Sequence, residues 1–289
     1  LEALLDYAKN GGASGTEAFV RENLLNAEGG VGMHVYESSA QSPSGRDVLA
    51  ESQGLLMEYA AETHDRTLFE KAYGYAKTNL DRQGLLAWYA SNGETGNVNA
   101  LLDDLRVLKS LNAMGGYTED VMSRAIAIAA GNRDEKGNLV DFYSFADGGR
   151  ASRLTMCYCD WQALEIIRPL VPGFGDSLEA AEEILEGAYL GDDFPFYANF
   201  YDYETKTYDD SSLNMAEAML TLLHQAQAGQ LKDASLGWLQ ARMAGDGIYA
   251  RYDIHGNVVS GGDYESAAIY AIVGLIALEE EDDLLLTQA

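Results

Sequence analysis

The chain has 289 residues, with 46 Asp and Glu against 19 Lys and Arg, and a formal net charge of −27. A surface this acidic repels phosphate backbones and anionic lipids, which argues against nucleic acid and membrane surfaces as partners. Hydrophobic residues make up 47% of the chain, enough for a large core and too many for a disordered protein. The chain has only 4 Pro but 30 Gly, which is typical of long helices separated by glycine-rich loops.

The first residue, the apolar runs and the histidines bear on location and cofactors. The sequence begins with Leu, so we expect that an N-terminal signal or anchor has been removed and that the protein is extracellular or at the cell surface. No apolar run reaches the ~18 residues of a membrane span, and the nearest, from Ala267 to Leu278, predicts a buried helix. The 4 histidines show no metal-ligand spacing, so we expect neither a metal nor a cofactor.

An internal repeat with a period of about fifty residues is the most informative feature of the sequence. A short string of hydrophobic and aromatic residues, led by glycine, begins at Gly32, Gly84, Gly137 and Gly247. The last step is twice as long as the others, and Phe194–Phe200 fills the gap. A regular period of this length indicates one supersecondary unit per repeat.

Each string precedes a pair of predicted helices. The first helices begin near Val48, Val98, Arg153, Ser211 and Tyr264. The second helices cover about Thr67–Leu80, Thr118–Ala130, Ser177–Leu190 and Leu231–Met243. Upstream, Leu1–Lys9 and Thr16–Leu25 predict one further pair. Short loops connect the two helices of a pair, and long loops connect successive pairs.

Helix pairs of this size cannot bury their apolar faces alone, so neighbouring pairs must pack together. Six pairs closing on themselves form an (α/α)6 barrel, with the first helix of each pair inside and the second outside. An open α-solenoid is the alternative; the closed barrel is favoured because the count is near six and the long loops fall at one end. We therefore predict one all-α domain over residues 1–289, an (α/α)6 barrel with short β-hairpins in the long loops.

The loop end of this barrel should form a groove rich in carboxylates and aromatic rings. Acids recur near the starts of the inner helices, at Glu51, Asp103, Asp104, Asp160, Asp209, Asp210, Asp263 and Glu265. The nearby loops carry Tyr36, Trp88, Tyr89, Phe142, Tyr143, Tyr197, Tyr201, Tyr203, Tyr249 and Tyr252. Aromatic rings stack on sugars, and a carboxylate pair across such a groove suits glycoside hydrolysis. Acids are also common at helix starts because they cap free N–H groups.

Glu51 stands out among these acids. It lies at a helix start made of small residues that opens directly into an apolar run, within residues 47–57. Its apolar neighbours in the sequence are Leu49, Ala50, Leu55 and Leu56. Such neighbours predict a partly desolvated carboxyl, the environment that suits a general acid.

Two segments carry a resemblance to a known enzyme family. Ala50–Met57, followed by Gly84–Trp88, resembles the Ser-Glu-Gly-x-Gly-x-x-Met and Gly-Leu-Leu-Ala-Trp pattern of glycoside hydrolase family 8. The resemblance spans roughly residues 30 to 225 and implies an (α/α)6 barrel that acts on β-glucans, chitosan or xylan with inversion of configuration. Glu51 matches the proton donor of that family.

The resemblance continues at Tyr208–Leu213, where the family motif Tyr-Asp-Ala-x-Arg carries the catalytic base. On this match Asp209 is the candidate base. Tyr208 and Asp210 join the aromatic residues Tyr36, Trp88, Tyr89, Tyr143, Tyr197 and Tyr201 as expected substrate-binding residues. Asp210 replaces the Ala of the family motif.

The second family motif, an Asp-rich helix start, corresponds to Asn99–Leu105. Asn99 stands in place of the first Asp and is expected to bind substrate, and Arg106 interrupts the apolar run that follows. Such departures resemble glycoside hydrolase family 126, whose founding activity is on α-1,4-glucans. On that resemblance Asp103 or Asp104 becomes a candidate for the second carboxylate.

The sequence therefore predicts an inverting glycosidase for an oligo- or polysaccharide, acting as a monomer. Glu51 would protonate the glycosidic oxygen, and Asp103, Asp104 or Asp209 would activate the attacking water. Three alternatives stay open at this point. They are a degenerate carbohydrate-binding protein on the same barrel, an interaction module with an acidic rim, and an (α/α)6 lyase or epimerase with a Tyr base.

Overall fold

The structure, a computed structural model, describes residues 12–33 and 47–289. Its helices are α1 (Gly12–Phe19), α2 (Ala50–Glu62), α3 (Arg66–Tyr75), α4 (Leu101–Met114), α5 (Thr118–Gly131), α6 (Trp161–Ile167), α7 (Phe174–Gly187), α8 (Met215–Gln227), α9 (Asp233–Met243), α10 (Ala267–Glu279) and α11 (Asp283–Gln288). Single π-turns extend two of these helices, Val20–Leu24 after α1 and Ala76–Leu80 after α3, and a 3₁₀ turn, Met156–Tyr158, precedes α6.

Short antiparallel strands occupy the long loops. They are β1 (Val48–Leu49), β2 (Asp81–Arg82), β3 (Leu85–Leu86), β4 (Tyr89–Ser91), β5 (Glu94–Thr95), β6 (Arg153–Thr155), β7 (Phe200–Asp202), β8 (Thr207–Tyr208), β9 (Leu213–Asn214) and β10 (Arg251–Tyr252). They form the sheets β1-β4-β5, β2-β3, β6-β7-β8 and β9-β10. Every strand lies in a long loop, as predicted; β2-β3 lies within one loop, and each of the other three sheets joins strands of two successive long loops.

The helix pairs predicted from the repeat are confirmed, most of them within a few residues; the exception is α6, which begins at Trp161 and not near Arg153, because β6 and the 3₁₀ turn precede it. Five complete pairs are described, α2/α3, α4/α5, α6/α7, α8/α9 and α10/α11. Helix α1 and its π-turn match the prediction for Thr16–Leu25, and its predicted partner, Leu1–Lys9, lies outside the described residues. The periodicity of apolar residues is strong enough in this chain to define its helices without further information.

The described residues form two compact units that alternate along the sequence. The first contains the described residues up to Arg133 together with Phe142–Arg150 and Pro169–Val171. The second contains Asp134–Asp141, Ala151–Arg168 and Pro172–Ala289. A single domain over residues 1–289 stays a prediction.

In the first unit, α2 and α4 pack directly against each other, and each also packs against its following helix. Helix α4 is buried on nearly all sides from Leu101 to Leu111, including three charged side chains. A helix buried all round lies inside its unit, because a surface helix leaves a polar face in water. This burial confirms α4 as an inner helix and makes its charged residues the feature to explain.

In the second unit, α8 has the same pattern of burial, whereas α7 buries a single stripe that runs through Phe174, Leu178, Ala181 and Leu185. The prediction of a buried helix from Ala267 to Leu278 is only half right. Helix α10 buries one face against α8, while Leu275 stays 48% exposed. Among residues 12–33 and 47–289, no helix combines the length and the apolarity that crossing a bilayer requires.

Gln53 joins three parts of the first unit from the interior of α2. Its Nε2 donates to the carbonyl oxygens of Gly29 at 2.7 Å and Ala72 at 2.8 Å, and its Oε1 accepts from the Val31 N–H at 3.1 Å. The side chain is fully buried, so each of these bonds replaces water that cannot enter. Gln53 therefore fixes the segment around Gly29 and Val31, as well as α3, relative to α2.

Replacing Gln53 with Leu should lower the free energy of unfolding by about 2 kcal/mol, because the buried N–H of Val31 loses its acceptor. Urea denaturation measures this change. The exposed Gln288→Leu serves as the control and should shift the free energy by less than about 0.5 kcal/mol. Equal midpoints for the wild type and Gln53→Leu would show that the bonds of Gln53 do not stabilise the fold.

Candidate active site

Glu51 lies in the first turn of α2, directly after β1. Its side chain is 51% exposed, and Leu55, one turn later, is 48% exposed. The predicted desolvation of Glu51 by its apolar sequence neighbours is therefore wrong. Residues adjacent in a helix point to different faces, so Ala50 is buried beneath Glu51 without covering its carboxylate. Glu51 is accessible to a ligand in solution.

Arg106 of α4 reaches Glu51 of α2 at the point where Gly54 of α2 faces α4. A Cβ added to Gly54 would lie 3.1 Å from Cβ of Arg106, so the missing side chain of Gly54 makes room for Arg106. Glu51 and Gly54 share one face of α2 because they are three residues apart. The Arg106 Nη1 consequently lies 3.5 Å from Oε1 of Glu51, while the Arg106 side chain is only 5% exposed.

Asp103 binds the same nitrogen of Arg106. Its Oδ1 lies 3.1 Å from Nη1 of Arg106, one turn along α4. Burial raises the pKa of Asp103, Arg106 opposes this rise, and the charge of Glu51 adds to it. The two distances to one nitrogen, 3.1 Å and 3.5 Å, limit the separation of these oxygens of Glu51 and Asp103 to their sum, about 6.6 Å.

Asp104, the next residue, is buried and accepts hydrogen bonds from the segment that precedes α4. Its Oδ1 accepts from the Leu86 N–H at 2.8 Å, and its Oδ2 accepts from Asn99 Nδ2 at 2.7 Å. Burial raises the pKa of Asp104 to about 7, and the hydrogen bonds from Asn99 and Leu86 together with the charge of Arg124 oppose the rise. Both oxygens of Asp104 are thus bonded inside the protein.

Asn99 is 1% exposed and lies at the centre of this network. Its Nδ2 also donates to Oδ1 of Asn132 at 2.8 Å, and its Oδ1 accepts from the Tyr143 N–H at 2.6 Å. The Asn99 side chain is therefore bonded within the protein at both ends. The Tyr143 ring is half-buried, with the guanidinium of Arg150 above it at 5.4 Å from the ring centroid.

Trp88 and Tyr89 form an aromatic surface on the segment that pairs with the start of α2. The Trp88 carbonyl accepts from the Ala50 N–H at 2.9 Å, and Leu49 pairs with Tyr89 across β1 and β4. Trp88 is 44% exposed and stands edge-on to Tyr89 at 4.5 Å between ring centroids. A Cβ on Gly96 would lie 2.6 Å from Cδ1 of Trp88, so this glycine permits the ring to lie against the backbone.

A shallow depression of about 360 Å³ adjoins this aromatic surface. Its lining residues are Met33, Asp47, Leu49, Trp88, Tyr89, Ser91, Asn92 and Glu94. Aromatic faces flanked by hydroxyl, amide and carboxylate groups suit a sugar, which has apolar ring faces and a polar edge. Tyr36, the remaining predicted aromatic residue of this unit, lies outside the described residues.

The other predicted site residues belong to the second unit. Oδ2 of Asp209 accepts from Asn199 Nδ2 and from the Ser211 hydroxyl, each at 2.5 Å, and the side chain is partly exposed. Asp210 is exposed. The Tyr208 hydroxyl donates to the Ile184 carbonyl at 2.9 Å, at the end of α7.

Two further tyrosines of this unit differ in accessibility. The Tyr201 ring is partly exposed and contacts Tyr208 at 4.9 Å between ring centroids. Tyr197 is 5% exposed and packs against Tyr189 at 5.4 Å. Only Tyr201 of the two presents a ring surface to solvent.

In the first unit, the structure thus joins Glu51 to Asp103 through Arg106, and a backbone hydrogen bond joins Ala50, the residue before Glu51, to Trp88. Arg106 is the functional candidate that sequence reasoning missed, since it was noted only as an interruption of an apolar run. The available signal was physical: a cation in an inner helix must have an acidic partner, and Asp103 lies three residues before it. Among the described residues, no group of three or more His, Cys, Asp or Glu side chains is placed to hold a metal ion.

Comparisons with known proteins identify the fold. No family model matches the chain. YdaJ of Bacillus subtilis (strain 168), named provisionally as a lipoprotein, is 25% identical over 273 residues, which cover 92% of this chain and 73% of YdaJ. A structure described as a novel α-amylase from Clostridium perfringens has a TM-score of 0.84 and 24% identity, covering 94% of this chain and 82% of that one.

Endoglucanase Cel10 from Klebsiella pneumoniae, a family 8 glycosyl hydrolase, has a TM-score of 0.63 and 15% identity, covering 94% of this chain and 89% of that one. These likenesses extend over almost the whole chain. The chain therefore has the (α/α)6 fold that its repeat predicts, and it resembles family 8 glycosidases in that fold.

Replacing Asp104 with Asn should lower the free energy of unfolding by about 2 kcal/mol, because the new amide must point a donor at the N–H of Leu86 or at the amide of Asn99. Urea denaturation at neutral pH measures the loss. The exposed Asp193→Asn is the matched control and should be nearly neutral. A loss no larger than that of the control would mean that Asp104 does not hold this loop.

Proposed function

We propose that this chain is a glycoside hydrolase that cleaves an oligo- or polysaccharide of the α- or β-glucan class, with Glu51 as the general acid. One observation carries the proposal: the half-exposed carboxylate of Glu51 lies at the start of an inner helix, and the preceding residue, Ala50, is hydrogen-bonded to the backbone of the exposed Trp88. The fold, shared with an α-amylase and an endoglucanase, supports the same reading.

Glu51 would donate its proton to the glycosidic oxygen as the bond to the leaving sugar breaks. A general acid must be accessible to substrate and held in position, and both conditions apply to Glu51. Trp88 would stack on the apolar face of a sugar ring and so place the scissile bond within reach. The polar groups of the adjoining depression would bind the hydroxyls.

The general base has three candidates, which differ in their surroundings. Asp104 has both oxygens bonded inside the protein and no access to solvent. Asp103 is 10% exposed and shares Arg106 with Glu51. The two oxygens that face Arg106, Oδ1 of Asp103 and Oε1 of Glu51, lie at most about 6.6 Å apart, near the lower limit of the ~6.5–9.5 Å between the carboxyl groups of an inverting enzyme. Asp209 stays a proposal for the base on the motif match alone; its partly exposed carboxylate is oriented by Asn199 and Ser211.

Of the other residues predicted to bind substrate, six keep exposed or partly exposed side chains and remain proposals for that role: Trp88, Tyr89, Tyr143, Tyr201, Tyr208 and Asp210. We further propose that the protein works outside the cell or at its surface, as a monomeric single domain. The lipoprotein name of its Bacillus subtilis relative supports that location.

Glu51→Gln should lower kcat by about 10²–10⁴-fold while leaving saccharide affinity nearly unchanged, because the amide keeps the shape but has no proton to give. Release of reducing ends from starch, β-glucan, xylan and chitosan measures turnover, and calorimetry measures binding. Glu62→Gln, exposed at the end of α2, is the control and should remain fully active. An active Glu51→Gln enzyme would end the assignment. Binding by the wild type without any reducing ends would instead identify a degenerate carbohydrate-binding protein.

Trp88→Ala should weaken oligosaccharide binding about tenfold, since stacking covers apolar ring surface worth about 1–2 kcal/mol. Both Kd and KM should rise. Phe19→Ala, which removes a comparably exposed ring from α1, is the control and should leave both constants unchanged. Equal affinities of Trp88→Ala and the wild type would remove Trp88 from the binding surface.

A further inference from the structure

Arg106 carries a positive charge into the interior of the first unit. Its side chain is 5% exposed, and its Nη1 faces two carboxylates, Asp103 at 3.1 Å and Glu51 at 3.5 Å. Leaving a buried cation without a counter-ion costs several kcal/mol, so at least one of the two acids must be ionised. The side chains differ in exposure, since Asp103 is 10% exposed and Glu51 is 51% exposed.

The two acids therefore have different roles around one cation. Burial raises the pKa of Asp103, but Asp103 is nearer to Arg106 and shielded from water, so its attraction to the guanidinium is the stronger of the two and opposes that rise. The exposed carboxylate of Glu51 is partly screened by water. One guanidinium compensates one carboxylate, so the group is neutral when one of the two acids is ionised and the other holds a proton.

A general acid beside an uncompensated guanidinium would lose its proton too readily. A positive charge within about 4–6 Å of a carboxyl favours the ionised form. Arg106 alone would thus help to orient Glu51 but would also oppose its proposed role. A second carboxylate on the same nitrogen removes that conflict, because the Asp103–Arg106 pair has no net charge.

We propose that Asp103 is the counter-ion of Arg106 and not the catalytic base, and that this neutral ion pair positions Glu51 without placing a net positive charge beside it. This role deepens the proposed function and rests on it for the identity of the acid. Arg106 and Asp103 are positioning residues, since neither needs to touch the substrate. Gly54 contributes to this arrangement, because a larger residue there would push Arg106 away from α2.

Two further charged groups of α4, Asp104 and Lys109, have partners of their own. Asp104 is bonded to Asn99 and to the Leu86 N–H, with Arg124 of α5 as its nearest compensating charge. Farther along the same two helices, Lys109 of α4 pairs with Glu58 of α2 at 3.1 Å. This second bridge joins α2 and α4 without contacting Glu51, which makes it a natural control.

The test compares pH profiles of kcat/KM for the wild type and Asp103→Asn. With Arg106 uncompensated, Glu51 should release its proton at lower pH, so the basic limb should move down by about one pH unit or more. Activity at the most acidic pH values should persist. If Asp103 were the base, Asp103→Asn would instead lose activity at every pH, together with the acidic limb.

The double variant Asp103→Asn, Arg106→Gln removes both charges and should return the basic limb to its wild-type position. Glu58→Gln breaks the second bridge between α2 and α4 and should lower stability without moving either limb. A loss of stability alone therefore cannot imitate the predicted shift. If the double variant fails to fold, the single variant and its control still decide the question.

A second measurement does not depend on turnover. In protein labelled with ¹³C at the glutamate carboxyls, the Glu51 signal, assigned by its absence in Glu51→Gln, should titrate at lower pH in Asp103→Asn than in the wild type. An unchanged midpoint would overturn the inference, as would a midpoint in the double variant equal to that of Asp103→Asn. Failure to hydrolyse any of the four polysaccharides would count against the proposed function, while this titration would still decide the role of Asp103.

Discussion

The proposed chemistry depends on the close approach of two inner helices, α2 and α4, at Gly54. Because Gly54 has no side chain, Arg106 can lie against α2 and reach Glu51. The same approach keeps the guanidinium out of water, which makes a compensating carboxylate on α4 obligatory. One glycine thus links helix packing to the charge next to the candidate acid.

Buried amide and carboxylate side chains in or next to these helices hold the neighbouring loops in place through hydrogen bonds. Gln53 binds the segment at Gly29 and Val31, and Asp104 and Asn99 bind the segments at Leu86 and Tyr143. Each of these side chains lies in or next to an inner helix and bonds to loop backbone. Buried polar groups that are fully satisfied in this way hold a structure in a single arrangement. Trp88, two residues after Leu86, receives its position from the same network.

Much of the fold could be predicted from the sequence, because helix pairs follow from the period of apolar residues and from turns at regular intervals. Glu51 could also be placed at a helix start. Its exposure could not, since the apolar residues next to it in the chain occupy other faces of α2. The burial of Asn99 and Tyr197 could not be predicted either. Whether a polar or aromatic residue faces a groove or the interior depends on contacts with distant segments, which no local sequence pattern encodes.

The central claim is that the chain cleaves glycosidic bonds with inversion, beginning with a proton from Glu51. Proton NMR of the first turnovers tests it most directly, because it shows the configuration of each new reducing end before mutarotation. Inversion predicts α-configured ends from a β-linked polysaccharide, or β-configured ends from an α-linked one. New ends with the configuration of the cleaved bond, or no new ends from any glucan, would contradict the claim.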